Sequence, residues 1–236
     1  MIETPSPDKA FYDAEAIGVG ENHAIFVREI SGYFASYAQQ LNDDLRGTTG
    51  VIVELGAGSC TLSCNASQLE NVTRVIAADI SSKRMEKSIV NTAALLDADI
   101  QKITTVECDF NDRLPFDDQS VDAIMFDAAL HHARNIWNLI SECQRVLTPS
   151  GKLIAQRESY LNALRADRQM AYLLKTPEVS AQVSENMYLK SQYEYYLKVN
   201  GFSVEFIPYT RSRLKRILGF ANGWLFVDGS LYYSKV

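Results

Sequence analysis

Two features of membrane and secreted proteins are missing from this sequence. No apolar run is long enough to span a bilayer. The first eight residues contain Glu3, Asp8 and two prolines, and they lack the apolar stretch of a signal peptide. We therefore expect a cytoplasmic protein with no membrane partner.

Basic side chains are outnumbered. The chain has 23 Lys and Arg residues against 29 Asp and Glu residues, which gives a formal charge of −6. Because contacts with a phosphate backbone need a basic surface, the composition predicts no nucleic-acid partner. A small nucleotide held by backbone amides and carboxylates remains compatible with this charge.

Cysteine is scarce, with residues only at 60, 64, 108 and 143. Cys60 and Cys64 could lie one helical turn apart, but no second pair of Cys or His residues at a recognised ligand spacing accompanies them. The spacing therefore predicts buried free thiols, with no disulfide and no structural metal site.

Strand-like and helix-like segments alternate from residue 51 onward. This alternation predicts an α/β fold with a parallel sheet covered by helices on both faces. An apolar stripe at helical spacing also predicts a helix over residues 22–45. The predicted strands are Val51–Leu55, Val75–Asp79, Lys102–Cys108, Val121–Phe126, Lys152–Gln156, Ser203–Ile207 and Trp224–Val227 with Leu231–Tyr233. The predicted helices are Ser59–Leu69, Lys83–Leu96, a segment around Trp137–Leu147, Leu161–Leu174 and Tyr188–Val199.

Acidic residues end three successive predicted strands, and a glycine turn follows the first of them. Glu54 precedes Gly56 and Gly58, which allow a ligand to approach the backbone closely. The next helix then offers free amide donors at its N-terminus. Asp79 can accept two hydrogen bonds from the vicinal hydroxyls of a ribose, and Asp109 can accept one from the exocyclic amine of an adenine. Ile80 and Phe110 are placed to sandwich that ring. The pattern predicts a site for an adenosine that carries no pyrophosphate.

An ordered set of motifs resembles the Rossmann-like (class I) S-adenosylmethionine-dependent methyltransferases of the small-molecule type. The resemblance covers residues 50–157 and continues more loosely to the C-terminus. Cys60 departs from the pattern, because many members have a third glycine there. The matching elements are Glu54-x-Gly56-x-Gly58, Asp79, Asp109, Leu114-Pro115-Phe116, Asp122, Leu130-His131-His132 and Leu147-Thr148-Pro149-Ser150-Gly151-Lys152.

The resemblance implies a doubly wound, seven-stranded sheet that is mostly parallel, with an antiparallel last strand. It also implies S-adenosyl-L-methionine as the cofactor and S-adenosyl-L-homocysteine as its product. The chain is then one domain: a helical cap over residues 1–48, a cofactor-binding core over 49–157, a lid insertion over 158–190, and a C-terminal helix and strands over 191–236. The implied cofactor contacts are Tyr12, Glu54, Gly56, Ala57, Gly58, Asp79, Ile80, Asp109, Phe110 and Asp127.

The predicted reaction is methyl transfer to an oxygen or nitrogen of a small-molecule acceptor, with carbon as a further option. His131 and His132 follow the fourth strand and are the candidates for a general base, with His131 preferred. No metal is predicted beside them, because Ala128 and Ala129 supply no neighbouring carboxylate. The candidates for substrate binding are Arg157, Glu158, Tyr160 and Tyr188.

Two other functions are compatible with such a sheet. A nicotinamide-dependent oxidoreductase would need G-x-G-x-x-G, and Thr61 occupies the position of the last glycine. A non-catalytic protein that binds the cofactor and a protein partner would keep the same strand-end acids, since these report binding and not turnover. The oligomeric state is left open by the sequence.

Overall fold

The structure, a computed structural model, describes residues 5–19, 45–158, 160–161, 166–208 and 229–235. The predicted helix over residues 22–45 lies outside these residues, except for Leu45, which is in a turn. The predicted strand Trp224–Val227 also lies outside them.

Five parallel strands form the centre of the fold, in the order β3-β2-β1-β4-β5. The chain direction across the sheet reverses between β1 and β4, and the crevice at such a switch point is where ligands bind in open α/β sheets. The predicted Rossmann-like α/β fold is therefore confirmed. The strands are β1 (Gly50–Leu55), β2 (Val72–Asp79), β3 (Ile103–Glu107), β4 (Val121–Asp127) and β5 (Leu147–Glu158).

Helices cover both faces of this sheet. Successive residues of β1 point to opposite faces, so that Ile52 packs in one apolar core and Val53 in the other. Helices α2 and α3 contribute to the first core, and α4 and α7 contribute to the second. The helices outside the insertion are α1 (Pro7–Val19), α2 (Thr61–Ser67), α3 (Ser82–Leu96), α4 (Ile136–Val146) and α7 (Lys190–Val199).

Local chemistry sets the helix boundaries that bear on the site. The predicted cap of α3 is Ser81, whose hydroxyl accepts a hydrogen bond from the Arg84 amide at 3.2 Å. Helix α2 begins at Thr61, two residues later than predicted, because Cys60 before it adopts a left-handed conformation with φ of 59°. Helix α4 ends at Val146, ahead of the predicted stop at Pro149, and the chain enters β5 through an irregular pairing with β4.

The insertion predicted after the fifth strand begins and ends with two short strands that lie side by side. Strand β6 (Tyr160–Leu161) pairs in parallel with β7 (Tyr188–Leu189) in a separate two-stranded sheet. Between them lie α5 (Ala166–Leu173) and α6 (Pro177–Ser180). The predicted helix Leu161–Leu174 is therefore shorter than expected, because its first residue belongs to β6.

Two further strands lie beside β5. Strand β9 (Gly229–Lys235) pairs antiparallel with β5 and with β8 (Phe202–Pro208). Residues 209–228, which connect them, lie outside the described part of the chain. The complete seven-stranded sheet with an antiparallel last strand stays a prediction.

The four cysteines are free and buried, as predicted. No helix in the described part of the chain combines the length and the apolar character needed to cross a membrane.

Candidate functional site

The bend after β1 depends on glycine. Gly56 has φ of 73°, and a Cβ atom on it would lie 2.7 Å from Cβ of Ala129, which is too close for two carbon atoms. The amides of Gly56 and Ala57 both donate to the carbonyl of Ala78, at 2.9 and 3.1 Å. The bend is thus fastened to the end of β2. Cys60, where many class I methyltransferases have a third glycine, adopts the left-handed conformation that glycine adopts without strain.

Asp79 fastens the same bend from its side chain. One carboxylate oxygen accepts from the amide of Gly58 and the other from the amide of Ser81, each at 2.8 Å. The side chain is buried, and burial raises the pKa of Asp79, while these amides and the nearby Arg84 and Lys9 oppose the shift. Each carboxylate oxygen has a second lone pair, so the group can still accept hydrogen bonds from a ligand.

A cavity of about 370 Å³ opens at the switch point of the sheet, within the usual size range of small-ligand sites. All ten residues predicted to contact the cofactor border this one space. The predicted contacts on the cavity wall are Tyr12, Glu54, Gly56, Ala57, Gly58, Asp79, Ile80, Asp109, Phe110 and Asp127.

Carboxylates dominate the wall of the cavity. Two guanidinium groups, those of Arg84 and Arg157, stand against seven acidic side chains. Such a wall attracts a cation and repels a pyrophosphate. The acidic residues on the wall are Asp8, Glu15, Glu54, Asp79, Asp109, Asp127 and Glu178.

Glu54 has a strongly perturbed carboxyl group on the cavity wall. One of its oxygens accepts from the amide and the hydroxyl of Ser63, at 2.8 and 2.5 Å. Burial nevertheless raises the pKa of Glu54 to about 8, because the hydrogen bonds from Ser63 do not compensate for lost hydration. At pH 7 this group is therefore mostly neutral.

The other two strand-end acids are paired with arginines. One oxygen of Asp109 accepts from the Asn111 amide at 2.9 Å and the other pairs with Arg134. Asp127, at the end of β4, binds the Arg157 guanidinium through both oxygens, at 2.6 and 2.7 Å. Arg157, predicted to bind substrate, thus lies on the cavity wall and holds a neighbouring acid.

Helix α1 and residues 178–185 of the insertion cover the cavity. The carboxylate of Asp8 accepts from the amide and hydroxyl of Ser184, at 2.9 and 3.3 Å, and so joins the two covers. Lys9 donates to the carbonyl of Ile80 at 3.0 Å, and Asp13 accepts from the Ser81 hydroxyl at 2.7 Å. These contacts fix α1 over the ends of β2 and α3.

His132, and not the preferred His131, has its side chain on the cavity wall. The Nδ1 atom of His132 lies 2.6 Å from the carbonyl of Ser184, and Nε2 lies 3.4 Å from the hydroxyl of Tyr12. Since a carbonyl only accepts, Nδ1 carries the hydrogen and Nε2 presents its lone pair. Burial, with the neighbouring His131, lowers the pKa of His132 to about 4.

Glu158, predicted as a substrate contact, is not among the described residues of the cavity wall and supports the turn that carries the histidines. Its fully buried carboxylate accepts from the amides of Ala129, Leu130 and His131, at 3.0, 2.9 and 3.2 Å. It also lies 2.8 Å from Nδ1 of His131. Burial opposes ionisation of Glu158, but His131 and these amides lower its pKa. Burial likewise opposes protonation of His131, whose pKa the Glu158 carboxylate raises.

Tyr188, one of the two tyrosines predicted to bind substrate, is not among the described residues of the cavity wall. The hydroxyl of Tyr188 donates to the carbonyl of Ala133 at 3.3 Å, and its ring packs edge-on against Tyr193. Tyr188 thus supports the loop after β4, and its contact with substrate stays a prediction. The backbone of Tyr160 lies in β6, and its side chain lies outside the described atoms.

Several wall residues have no signal in the sequence. Arg84 stacks over the ring of Tyr12, with 5.4 Å between the guanidinium carbon and the ring centroid, and pairs with Glu15 at 3.6 Å. Asp8 and Ser184 belong to polar segments without a recognised motif. Only the position of Arg84, one turn into the helix after β2, could have suggested a role.

Comparison with known proteins identifies the core of the chain. Residues 53–155 match the family model described as a methyltransferase domain. No curated protein sequence matches the chain.

Solved structures with the same fold extend the likeness. A chain from the complex between the Haloferax volcanii Trm112 methyltransferase activator and a methyltransferase is 16% identical, with a TM-score of 0.65, over 99% of this chain and 98% of that one. An S-adenosyl-L-methionine-dependent methyltransferase from Methanococcus maripaludis is 18% identical, with a TM-score of 0.61, over 100% and 96%. The [4+2]-cyclase SpnF is 14% identical, with a TM-score of 0.61, over 84% and 79%. At these identities the likeness establishes the fold alone.

The comparison with the Haloferax volcanii complex corrects one prediction. A chain with this fold over nearly its whole length comes from an assembly of a methyltransferase with a protein activator. The prediction that the partner is a small-molecule acceptor is therefore wrong, since nothing in the comparisons restricts the partners in that way.

Residues 53–155 match the methyltransferase-domain family model, and the chain has the fold of S-adenosylmethionine-dependent methyltransferases. These findings confirm the resemblance to the class I S-adenosylmethionine-dependent methyltransferases, and the small-molecule type stays a prediction.

Proposed function

We propose that this protein binds S-adenosyl-L-methionine in the 370 Å³ cavity and transfers its methyl group to an oxygen or nitrogen of an acceptor. The acceptor enters at the end of the cavity bordered by His132 and Tyr12. The four predicted parts of the chain keep their roles in this proposal, with residues 1–48 and 158–190 covering the core of 49–157, and residues 191–236 completing the sheet.

The observation that carries the proposal is the charge of the cavity wall. Glu54 is mostly neutral at pH 7 and Asp109 pairs with Arg134, but the other acids of the wall still outnumber its guanidinium groups, which suits a ligand with an ammonium and a sulfonium group. The same wall would repel the pyrophosphate of a nicotinamide dinucleotide. The Asp79 carboxylate, fixed by two backbone amides, is oriented before any ligand arrives.

The residues around the cavity divide among the parts of the cofactor. In our proposal Asp79 binds the ribose and Asp109 the adenine amine, with Ile80 and Phe110 on the faces of the ring. The bend from Gly56 to Gly58 receives the methionine part, together with Glu54 and Tyr12. Asp127 and Arg157 form the wall beside it.

The bound cofactor supplies a methyl group that is already activated on a sulfonium centre. The chain must then align the acceptor, exclude water and accept the acceptor's proton. Helix α1 and the insertion cover the site, and Nε2 of His132 presents a lone pair to it. Because burial lowers the pKa of His132 to about 4, its imidazole is neutral at pH 7 and Nε2 carries no proton.

A calorimetric comparison of two ligands tests the proposal. S-adenosylhomocysteine is expected to bind with one site per chain, whereas NADH is expected to produce no saturable heat. Binding of NADH without binding of S-adenosylhomocysteine would replace the proposed function by that of a nicotinamide-dependent oxidoreductase.

Cofactor binding is also expected to release close to one proton per site at pH 7. The pKa of Glu54 is raised to about 8 by burial, so the group is mostly protonated before binding. The ammonium group of the ligand stabilises the carboxylate and displaces that proton. Calorimetric titrations with S-adenosylhomocysteine in phosphate and in Tris, whose ionisation enthalpies differ, measure the number of protons released.

The Glu54→Gln variant is the control for this release, because it keeps the shape of the side chain and cannot ionise. It should bind with equal enthalpy in both buffers. The same pKa shift predicts a stability difference: the folded pKa of about 8 exceeds the ordinary 4.5, so the contribution of Glu54 to stability is complete below pH 4.5 and is lost as the pH rises through 8. A wild-type protein with the same pH dependence of unfolding as the variant would contradict the shift.

A further inference from the structure

The histidine pair meets a carboxylate from the insertion. His131, His132 and Glu185 each offer one ligand atom, and these three atoms lie within 4.8 Å of one another. The sequence predicted no metal here because Ala128 and Ala129 bring no acid to the histidines. The fold supplies one from a segment more than fifty residues further along the chain.

The free atoms of the cluster converge. Nδ1 of His131 is held by Glu158, which leaves Nε2 directed to Glu185, 3.6 Å from Oε1. Nδ1 of His132 lies 3.1 Å from Oε2 of the same carboxylate. The two imidazole rings are tilted by 40°, with centroids 4.3 Å apart.

These separations match the spacing of ligands around one ion. With bonds of about 2.0–2.2 Å to nitrogen and oxygen, tetrahedral ligands lie roughly 3.4 Å from each other. The two measured nitrogen–oxygen distances, 3.6 and 3.1 Å, lie on either side of that value. We propose that Nε2 of His131, Nδ1 of His132 and the carboxylate of Glu185 bind a divalent transition-metal ion of the zinc type.

The groups behind the ligands fit this assignment. A ligand histidine is commonly oriented by a carboxylate on its other ring nitrogen, and Glu158 has this relation to His131. The segment that carries Glu185 is fixed by Asp8, which accepts two hydrogen bonds from Ser184. Two imidazoles favour zinc, iron or nickel over magnesium and calcium, which prefer oxygen ligands.

For an ion to bind Nδ1 of His132, the Ser184 carbonyl that now lies 2.6 Å from this nitrogen must move away from it. His132 borders the cavity, so the ion would lie beside the cavity wall. This last step rests on the proposed function: the bound ion would lower the pKa of an acceptor hydroxyl that reaches it, and Nε2 of His132 would accept the proton.

A titration of the EDTA-treated full-length protein with zinc tests the site, followed by cobalt for its absorption spectrum. We expect one zinc ion per chain and a cobalt spectrum without a thiolate charge-transfer band, since the four cysteines are buried and take no part. The Glu185→Gln variant should bind zinc roughly 100-fold more weakly or worse, because changes to the residues behind the ligands alone cost about 10–100-fold. The matched control is Glu86→Gln, which removes one negative charge from an exposed residue of α3 that is not among the described residues of the cavity wall, and it should leave zinc affinity unchanged.

Three outcomes would overturn the site: no saturable zinc binding, full affinity in Glu185→Gln, or a thiolate band in the cobalt spectrum. Because Glu185 lies on the insertion, thermal unfolding is measured for each variant to check that the protein is folded. S-adenosylhomocysteine binding is measured in the same samples. If the protein binds S-adenosylhomocysteine but not zinc, only the metal proposal fails. If it binds zinc but not S-adenosylhomocysteine, only the proposed function fails.

Discussion

Asp79→Asn is expected to weaken S-adenosylhomocysteine binding by roughly 10-fold or more, because one or two charge-assisted hydrogen bonds to the ribose, each contributing about 1.5–3 kcal/mol, are lost. The structure adds a second reason. Each oxygen of Asp79 also accepts from a backbone amide, at Gly58 and at Ser81. The asparagine NH₂ group would face one of these donors, so the glycine bend would lose one of its fixed contacts.

The matched control for this substitution is Asp112→Asn. Asp112 is an exposed acid close to Asp109 in sequence, and its side chain is not among the described groups on the cavity wall. Asp112→Asn changes the net charge by the same amount as Asp79→Asn. Any long-range electrostatic effect on the binding of a cationic ligand therefore appears in both variants. The ribose would have to bind elsewhere if Asp79→Asn unfolds at the normal temperature and binds S-adenosylhomocysteine with an affinity within about threefold of that of Asp112→Asn.

Glu158→Ala is expected to lower the free energy of unfolding by about 3 kcal/mol or more, since each buried donor left without a partner costs about 1–3 kcal/mol. The carboxylate is 1% exposed and serves three amides and the His131 ring. All four donors belong to the turn after β4, so this turn should also become mobile. Chemical denaturation measures the first effect and amide hydrogen exchange at Ala129 and Leu130 measures the second.

Glu194→Ala provides the reference for an acid whose contacts are on the surface. Glu194 pairs along α7 with Lys190 and Lys198, at 3.0 and 3.8 Å. Exposed ion pairs between residues four apart on a helix contribute about 0.3–0.5 kcal/mol to the free energy of unfolding. Equal losses of stability in the two variants would mean that Glu158 does not organise the turn.

The strand-end part of the site could be predicted from the sequence because topology determines it. In a parallel sheet the carboxyl ends of neighbouring strands meet at one edge, so Glu54, Asp79 and Asp109 come together wherever the strands form. Short β-branched runs that end in an acid mark these positions without knowledge of packing. The glycines of the bend are equally visible, since close backbone approach requires them at Gly56.

The histidine end of the cavity could not be predicted in the same way. Whether His131 or His132 faces the cavity depends on the rotation of a single turn after β4, which Glu158 sets through three amides. Glu185 reaches the pair only because the insertion folds back over the sheet. Its segment is polar and irregular, with neither helical nor strand periodicity to indicate its path.

The cover of the cavity depends on contacts between distant parts of the chain. Asp8 and Ser184 are separated by more than 170 residues, and their hydrogen bonds join two segments with no shared motif. Arg84 contacts Tyr12 through a ring face, an interaction that residue types alone do not specify. Such contacts follow from tertiary packing, and they decide which groups line the acceptor side.

The short parallel pairing of Tyr160–Leu161 with Tyr188–Leu189 makes the insertion exchangeable. Because the chain leaves and re-enters the core at adjacent strands, the intervening stretch can lengthen, shorten or be swapped for another without displacing β5 or α7. A grafted segment would have to preserve this two-residue pairing and also replace the hydrogen bonds from Ser184 to Asp8, because Ser184 is on the cavity wall. Recombination at the pairing would therefore remodel one side of the cavity and leave the bend at Gly56–Gly58 in place.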